Sequence, residues 1–346
     1  MPHSDMHPAA ADGAPRPPAP AITLLALLLA LSWLPWPAPP GPGAGSAWAA
    51  VRPLRVVTTT QDLASIAAEI GGDRVRAEAL ARGYQDPHFV DAKPSFLVKL
   101  RQADLFVQVG RDLEVGWAPG LLNGARNARI LPGGPGFVDA SRGVAVLELP
   151  ASASRAEGDV HPYGNPHYWL DPANGLVIAA NIRDGLARVS PADRALFDRR
   201  YADFESRLRR RIEDWRKEAG AMGLPGAKAV TYHRSWPYFT AAFGIRVLDY
   251  VEPKPGVPPA PRHTRDLIEV MRAQGARLLI VEPYFDPKLP RQIARETGAA
   301  LVVLPPSVGA APEARDYFSL FDAQLALLRK ALGAPTGSGA GATGRP

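Results

Sequence analysis

Three histidines carry the chemistry open to this sequence. His88 follows Asp86-Pro87, His167 follows Asn165-Pro166, and His233 closes the apolar run Lys228 to Tyr232. Asp-Pro and Asn-Pro pairs mark turns. Asp171 followed by Pro172 reads as a helix cap and first helical residue. His167 therefore lies on a short constrained segment just before a helix. A neutral imidazole is a common ligand for divalent metals, and we expect these three to converge on one ion. Such a nitrogen-rich set suits Zn²⁺, which takes histidine nitrogen at about 2.0–2.1 Å in a tetrahedron. Mn²⁺ prefers more oxygen. For the fourth ligand we favour Glu282, which ends an apolar strand and precedes Pro283; Asp286 or a water are the alternatives. A ligating imidazole usually donates its second N–H to a carboxylate or carbonyl, and Asp171, Asp91 and Asn165 are candidates for that role. His161 is expected to be an exposed, flexible loop residue, with transient metal gathering as the alternative. His263, beside the helix cap Thr264, is expected to be structural.

Other chemistries fall away on composition. The 346 residues include no cysteine, which excludes disulfides, thiolate metal sites and thiol nucleophiles. The same absence is the ground for expecting a periplasmic protein that is not a lipoprotein. There is no His-Glu-x-x-His helix and no evident general base beside the histidines, so the protein is not expected to be an enzyme. A secreted zinc-dependent hydrolase is the alternative, since catalytic zinc keeps three protein ligands and one open position. A surface adhesin is a third reading. The net charge is +6, but the basic residues are scattered. The densest run, Arg207 to Arg211, is broken by Leu208 and followed by Glu213 and Asp214, as on a solvated helix face. Nucleic acid is therefore not an expected partner.

The elements that must position the histidines are legible as an alternation. Residues 1–49 read as a signal peptide. The apolar run Ile22 to Leu34 is followed by prolines and by Ala47-Trp48-Ala49, and it is shorter than the ~20 residues of a spanning helix. Strands at Leu54 to Thr59, Val75 to Leu80 and Asp104 to Val109 alternate with helices, which predicts a parallel sheet with ligands at the strands' carboxyl ends. Residues 132–164 read as a loosely ordered surface excursion. No Gly or Pro interrupts 192–219, and Leu196, Phe197, Tyr201, Phe204, Leu208, Ile212 and Trp215 recur at helical spacing. About 28 residues at 1.5 Å each give a rod of roughly 42 Å, longer than one small lobe. A second strand–helix series follows. The expected organisation is an α/β lobe over 50–190, a linking helix over 191–222, a second α/β lobe over 223–332 and a disordered tail over 333–346. The proline-rich Glu252 to Pro259 segment reads as a stiff cleft wall, not a source of ligands.

His88-Phe89 with Leu97 to Leu105, Asn165 to Asn174, Tyr232-His233-Arg234-Ser235-Trp236 and Glu252 to Pro259, in that order, resemble the periplasmic substrate-binding proteins of zinc/manganese ABC importers. The likeness covers roughly residues 54–332. It implies two α/β lobes with parallel sheets, joined by one long rigid helix, with the metal in the cleft between them. It implies capture of the ion and delivery to a membrane permease, by a protein expected to be a monomer. The family's histidine positions fall on His88, His167 and His233; the histidine at the third position, where manganese members carry glutamate, argues for zinc. The family's fourth ligand is a carboxylate in a turn near the end of the chain. Here that turn is Leu304-Pro305-Pro306-Ser307-Val308-Gly309, which has none.

Overall fold

The structure, a computed structural model, describes residues 52–150 and 161–333. The expected signal peptide and the tail beyond Gly333 lie outside those residues.

Two four-stranded parallel sheets organise the described chain. The first holds β1 (Leu54–Thr58), β2 (Val75–Ala79), β3 (Leu105–Gln108) and β4 (Phe137–Asp139), in the order β2-β1-β3-β4. The second holds β5 (Lys228–Thr231), β6 (Arg246–Tyr250), β7 (Leu278–Val281) and β8 (Ala300–Val303), in the order β6-β5-β7-β8. The two orders are the same, so each sheet reverses direction between its first and third strands. Ligands of open α/β sheets sit at such reversals, beyond the carboxyl ends of the strands. The central strands are short and apolar because helices cover both faces: Val56, Val57 and Thr58 of β1 and all four residues of β7 are buried.

In the first lobe the crossovers run through α1 (Gln61–Gly71), α2 (Pro94–Arg101) and α3 (Ala118–Ala125), and α4 (Asn174–Val189) packs against α1. In the second lobe they run through α6 (Pro237–Phe243), α7 (Pro261–Gln274) and α8 (Lys288–Thr297). Between the lobes lies α5 (Arg194–Ala221), 28 residues long. Its buried stripe is Phe197, Phe204, Leu208, Ile212, Trp215 and Ala219. The last helix, α9 (Tyr317–Leu332), leaves the second sheet and returns to pack on α5 and α1. No helix among the described residues is long and apolar enough to cross a membrane.

Three details differ from the sequence reading. The excursion over 132–164 contains β4, which pairs with β3 through Phe106, Val107 and Gln108. Three residues after a Gly-Gly-Pro-Gly run are too few to show a period, so backbone pairing alone defines this strand. The helix α3 was also missed, because Gly120 and Gly124 interrupt its pattern. Finally, Asp171 does not cap α4. It accepts from the Ala173 N–H at 2.8 Å in a local turn, three residues ahead of the helix.

Candidate metal centre

His88 and His167 are held by the same local device. After β2 the chain turns through Asp86-Pro87-His88, and the Asp86 Oδ1 accepts from both the His88 backbone N–H (2.9 Å) and its Nδ1 (2.6 Å). In Asn165-Pro166-His167 the Asn165 Oδ1 accepts from the His167 N–H (2.9 Å) and lies 3.0 Å from its Nδ1. In both, a side chain two residues upstream folds back as an Asx turn, proline restricts the residue between, and the ring is pinned through Nδ1. The second turn is anchored further. Trp169 Nε1 donates to the Pro306 carbonyl at 2.9 Å, and Tyr168 OH donates to the Val109 carbonyl at 2.8 Å. Gly164 opens the segment at φ +87°, where a Cβ would lie 2.1 Å from Val146 Cγ1.

His233 comes from the second lobe, just beyond β5. Its carbonyl accepts from Thr231 Oγ1 at 2.9 Å, and its Nδ1 lies 2.7 Å from Glu252 Oε2. Glu252 stands just beyond β6, where its backbone N–H donates to the Tyr232 carbonyl. Adjacent parallel strands thus bring the two side chains together.

The three imidazoles meet. One nitrogen from each of His88, His167 and His233 lies within 4.8 Å of the others. The ring centroids are 5.1, 5.5 and 5.7 Å apart. Every Nδ1 is occupied by an oxygen acceptor, which turns the Nε2 side of each ring away from it; the Nε2 of His88 lies 3.1 Å from that of His161. That of His167 is buried with no hydrogen-bond partner among the described residues. An orphaned buried nitrogen is costly unless something else occupies it.

The electrostatics divide the three. Burial drives the His167 pKa well below its ordinary value, helped by the neighbouring imidazoles, so this ring is neutral and its lone pair free. Burial also pushes His233 down, but the bond to Glu252 and the charges of Glu282 and Glu252 outweigh it, and the net shift is upward. Asp86 is raised by burial and lowered more by its bond to His88, so its carboxyl stays below the usual range.

The remaining expected residues are distributed as follows. Glu282 follows β7, beside β5, and is 0% exposed, its carboxylate facing Ser235 and His233. Burial pushes its pKa up to about 7, against the pull of His233. It lies outside the group of donors within 4.8 Å of one another. Of the proposed orienting groups, Asn165 takes that position, whereas Asp171 turns to its own backbone. Asp86 and Glu252 hold the other two imidazoles and were not foreseen. The signal for Asp86 was present: it stands two residues before a histidine across a proline, as Asn165 does. Glu252 carried no such signal, because its partner lies on a neighbouring strand. His263 is structural, with Nε2 3.0 Å from the Tyr250 carbonyl. His161 was expected in open loop but packs on the site, its Nε2 3.1 Å from that of His88.

Comparison with known proteins gives a consistent result. A family model described as zinc-uptake complex component A, periplasmic, matches residues 56–331. A manganese ABC transporter substrate-binding lipoprotein, PsaA of Streptococcus pneumoniae, is 26% identical over 244 residues, covering 70% of this chain and 76% of that protein. The metal ABC transporter substrate-binding lipoprotein FimA of Streptococcus parasanguinis is 27% identical over 255 residues, 73% of this chain and 80% of that protein. The crystal structure of a ZnuA superposes with a TM-score of 0.68 at 24% identity, covering 81% of this chain and 99% of that one, and so shares the fold.

These relatives correct one expectation. The protein was expected not to be a lipoprotein, yet the relatives are named as lipoproteins. The expectation rested on the absence of one residue type, and an absence does not establish how a protein is held at a membrane. A location facing away from the cytoplasm agrees with their names. With the family matched across both lobes and the site between them, this chain belongs to the zinc-uptake complex component A family, the metal-binding components of ABC importers.

Proposed function

We propose that the protein captures zinc between its two lobes, as a monomer, and delivers it to the importer's permease, with His88, His167 and His233 as ligands through Nε2. The observation that carries this reading is the convergence of three imidazoles whose Nδ1 atoms are each tied to an oxygen acceptor, with one nitrogen from each within 4.8 Å of the others. Neutral nitrogen donors favour zinc over manganese, which seeks oxygen. The manganese named for a relative belongs to a protein of 26% identity. We assign Glu282 the part of a neighbouring carboxylate that ionises when the dication arrives, since burial holds its pKa up at about 7.

The test is a competition titration with Zn²⁺ and Mn²⁺. Wild type should bind one zinc far more tightly than manganese. His88→Ala, His167→Ala and His233→Ala should each weaken zinc binding by more than the 10–100-fold typical of losing an orienting partner. Near-equal affinity in all four proteins would overturn the site.

A further inference from the structure

Tetrahedral zinc needs a fourth donor, and His88, His167 and His233 supply three. We infer that His161 supplies that donor, so that four imidazoles hold the ion; this deepens the proposed site and rests on it.

The geometry points to His161 in two ways. Its Nε2 lies 3.1 Å from the Nε2 of His88, with the rings stacked at 5.1 Å and 28°. Two donors 2.0–2.1 Å from a tetrahedral ion stand about 3.3–3.4 Å apart. The pair is therefore at ligand spacing, and a hydrogen bond between them would give way to shared coordination. The backbone also holds the residue in place. The His161 carbonyl accepts from the Gly164 N–H at 3.0 Å, and Arg111 donates to the Tyr163 carbonyl at 2.7 Å. The approach of His161 is one-sided. Its ring is 6.4 Å from that of His167, so coordination draws it inward from His88 toward the centre.

A fourth neutral nitrogen has a consequence for selectivity. With no oxygen supplied by the protein, the site loses what manganese needs and keeps what zinc accepts.

The test uses the full chain loaded with Zn²⁺, and separately with Co²⁺ as a spectroscopic probe. X-ray absorption at the zinc edge should count four imidazoles in wild type and three in His161→Ala. That variant should bind zinc at least about 100-fold more weakly, beyond the range of an orienting partner. Its manganese affinity should change less than about threefold, and its metal-free melting temperature should hold. In the cobalt form, the tetrahedral visible bands should weaken. Three imidazoles in wild type, or equal loss of zinc and manganese affinity in His161→Ala, would overturn the inference. Wild type that takes up no metal, or His88→Ala that keeps full affinity, would instead sink the three-histidine site.

Discussion

His233 and Glu252 show how each imidazole's behaviour is set by what its Nδ1 touches. His233 has its pKa raised, by the carboxylates around it. In the metal-free protein this pair stabilises the fold fully below the ordinary histidine value of 6.5. That contribution is lost as the pH rises through the raised value. Metal binding needs the neutral ring, so zinc uptake should displace a proton from His233 at and below the histidine range. Calorimetry in two buffers of different ionisation enthalpy should show proton release that fades as the pH rises. Glu252→Gln should weaken zinc about 10–100-fold and reduce that release; Asp86→Asn should cost a similar factor through His88. The same sign applies to Glu282, at lower pH. Its pKa rises from 4.5 to about 7 on burial. The neutral acid is thus tolerated below pH 4.5, and stability falls as the pH passes 7. Glu282→Gln should therefore stabilise the metal-free protein by about 1–3 kcal/mol at pH 8 and by little at pH 5, read by thermal melts. At this scale the sequence told most where partners are local. The Asx-Pro-His turns at 86–88 and 165–167 lie within three residues, whereas Glu252 and His161 reach their imidazoles from 19 and 73 residues away.

Among the elements, α5 was the most readable. A run without Gly or Pro and a stripe at helical spacing define it before any tertiary contact is known. What the sequence could not say is what covers the stripe. The answer is α1, α4 and α9. Trp215 is 0% exposed, donates to Asp322 at 2.7 Å and packs on Phe321 at 5.0 Å. Trp215→Ala should cost about 3–5 kcal/mol. Because α9 also joins the second lobe to α1, denaturation followed by lobe-specific probes should show both lobes losing stability together. Separate transitions would mean that α5 is a tether and not a shared core. The elements that escaped the sequence, β4 and α3, are short and glycine-flanked, and exist because β3 and α2 lie beside them.

Across the whole molecule, polar contacts cross from one lobe to the other around the site. Asn165 donates to the Arg234 carbonyl at 2.7 Å, Tyr238 OH to the Asn165 carbonyl at 3.2 Å, and Trp169 to the Pro306 carbonyl at 2.9 Å. With α5 as a stiff rod behind them, zinc should move the lobes little. Solution scattering with and without zinc should show a radius of gyration changed by less than about 1 Å. A domain swing of several ångströms would contradict this.

One of these crossings behaves unlike the rest. Asp62, on α1, is fully buried and accepts from Ser307 Oγ and, at 2.9 Å, from the Val308 N–H in the other lobe. Burial lifts its pKa from 3.8 to about 6, so the closed contact is firmest below pH 3.8 and slackens as the pH climbs past 6. Acid therefore pulls the protein two ways: it strips the imidazoles of their cargo while cinching the shell around them. A protein emptied by acid should stay shut, and one emptied by a chelator at neutral pH should breathe more freely at this seam.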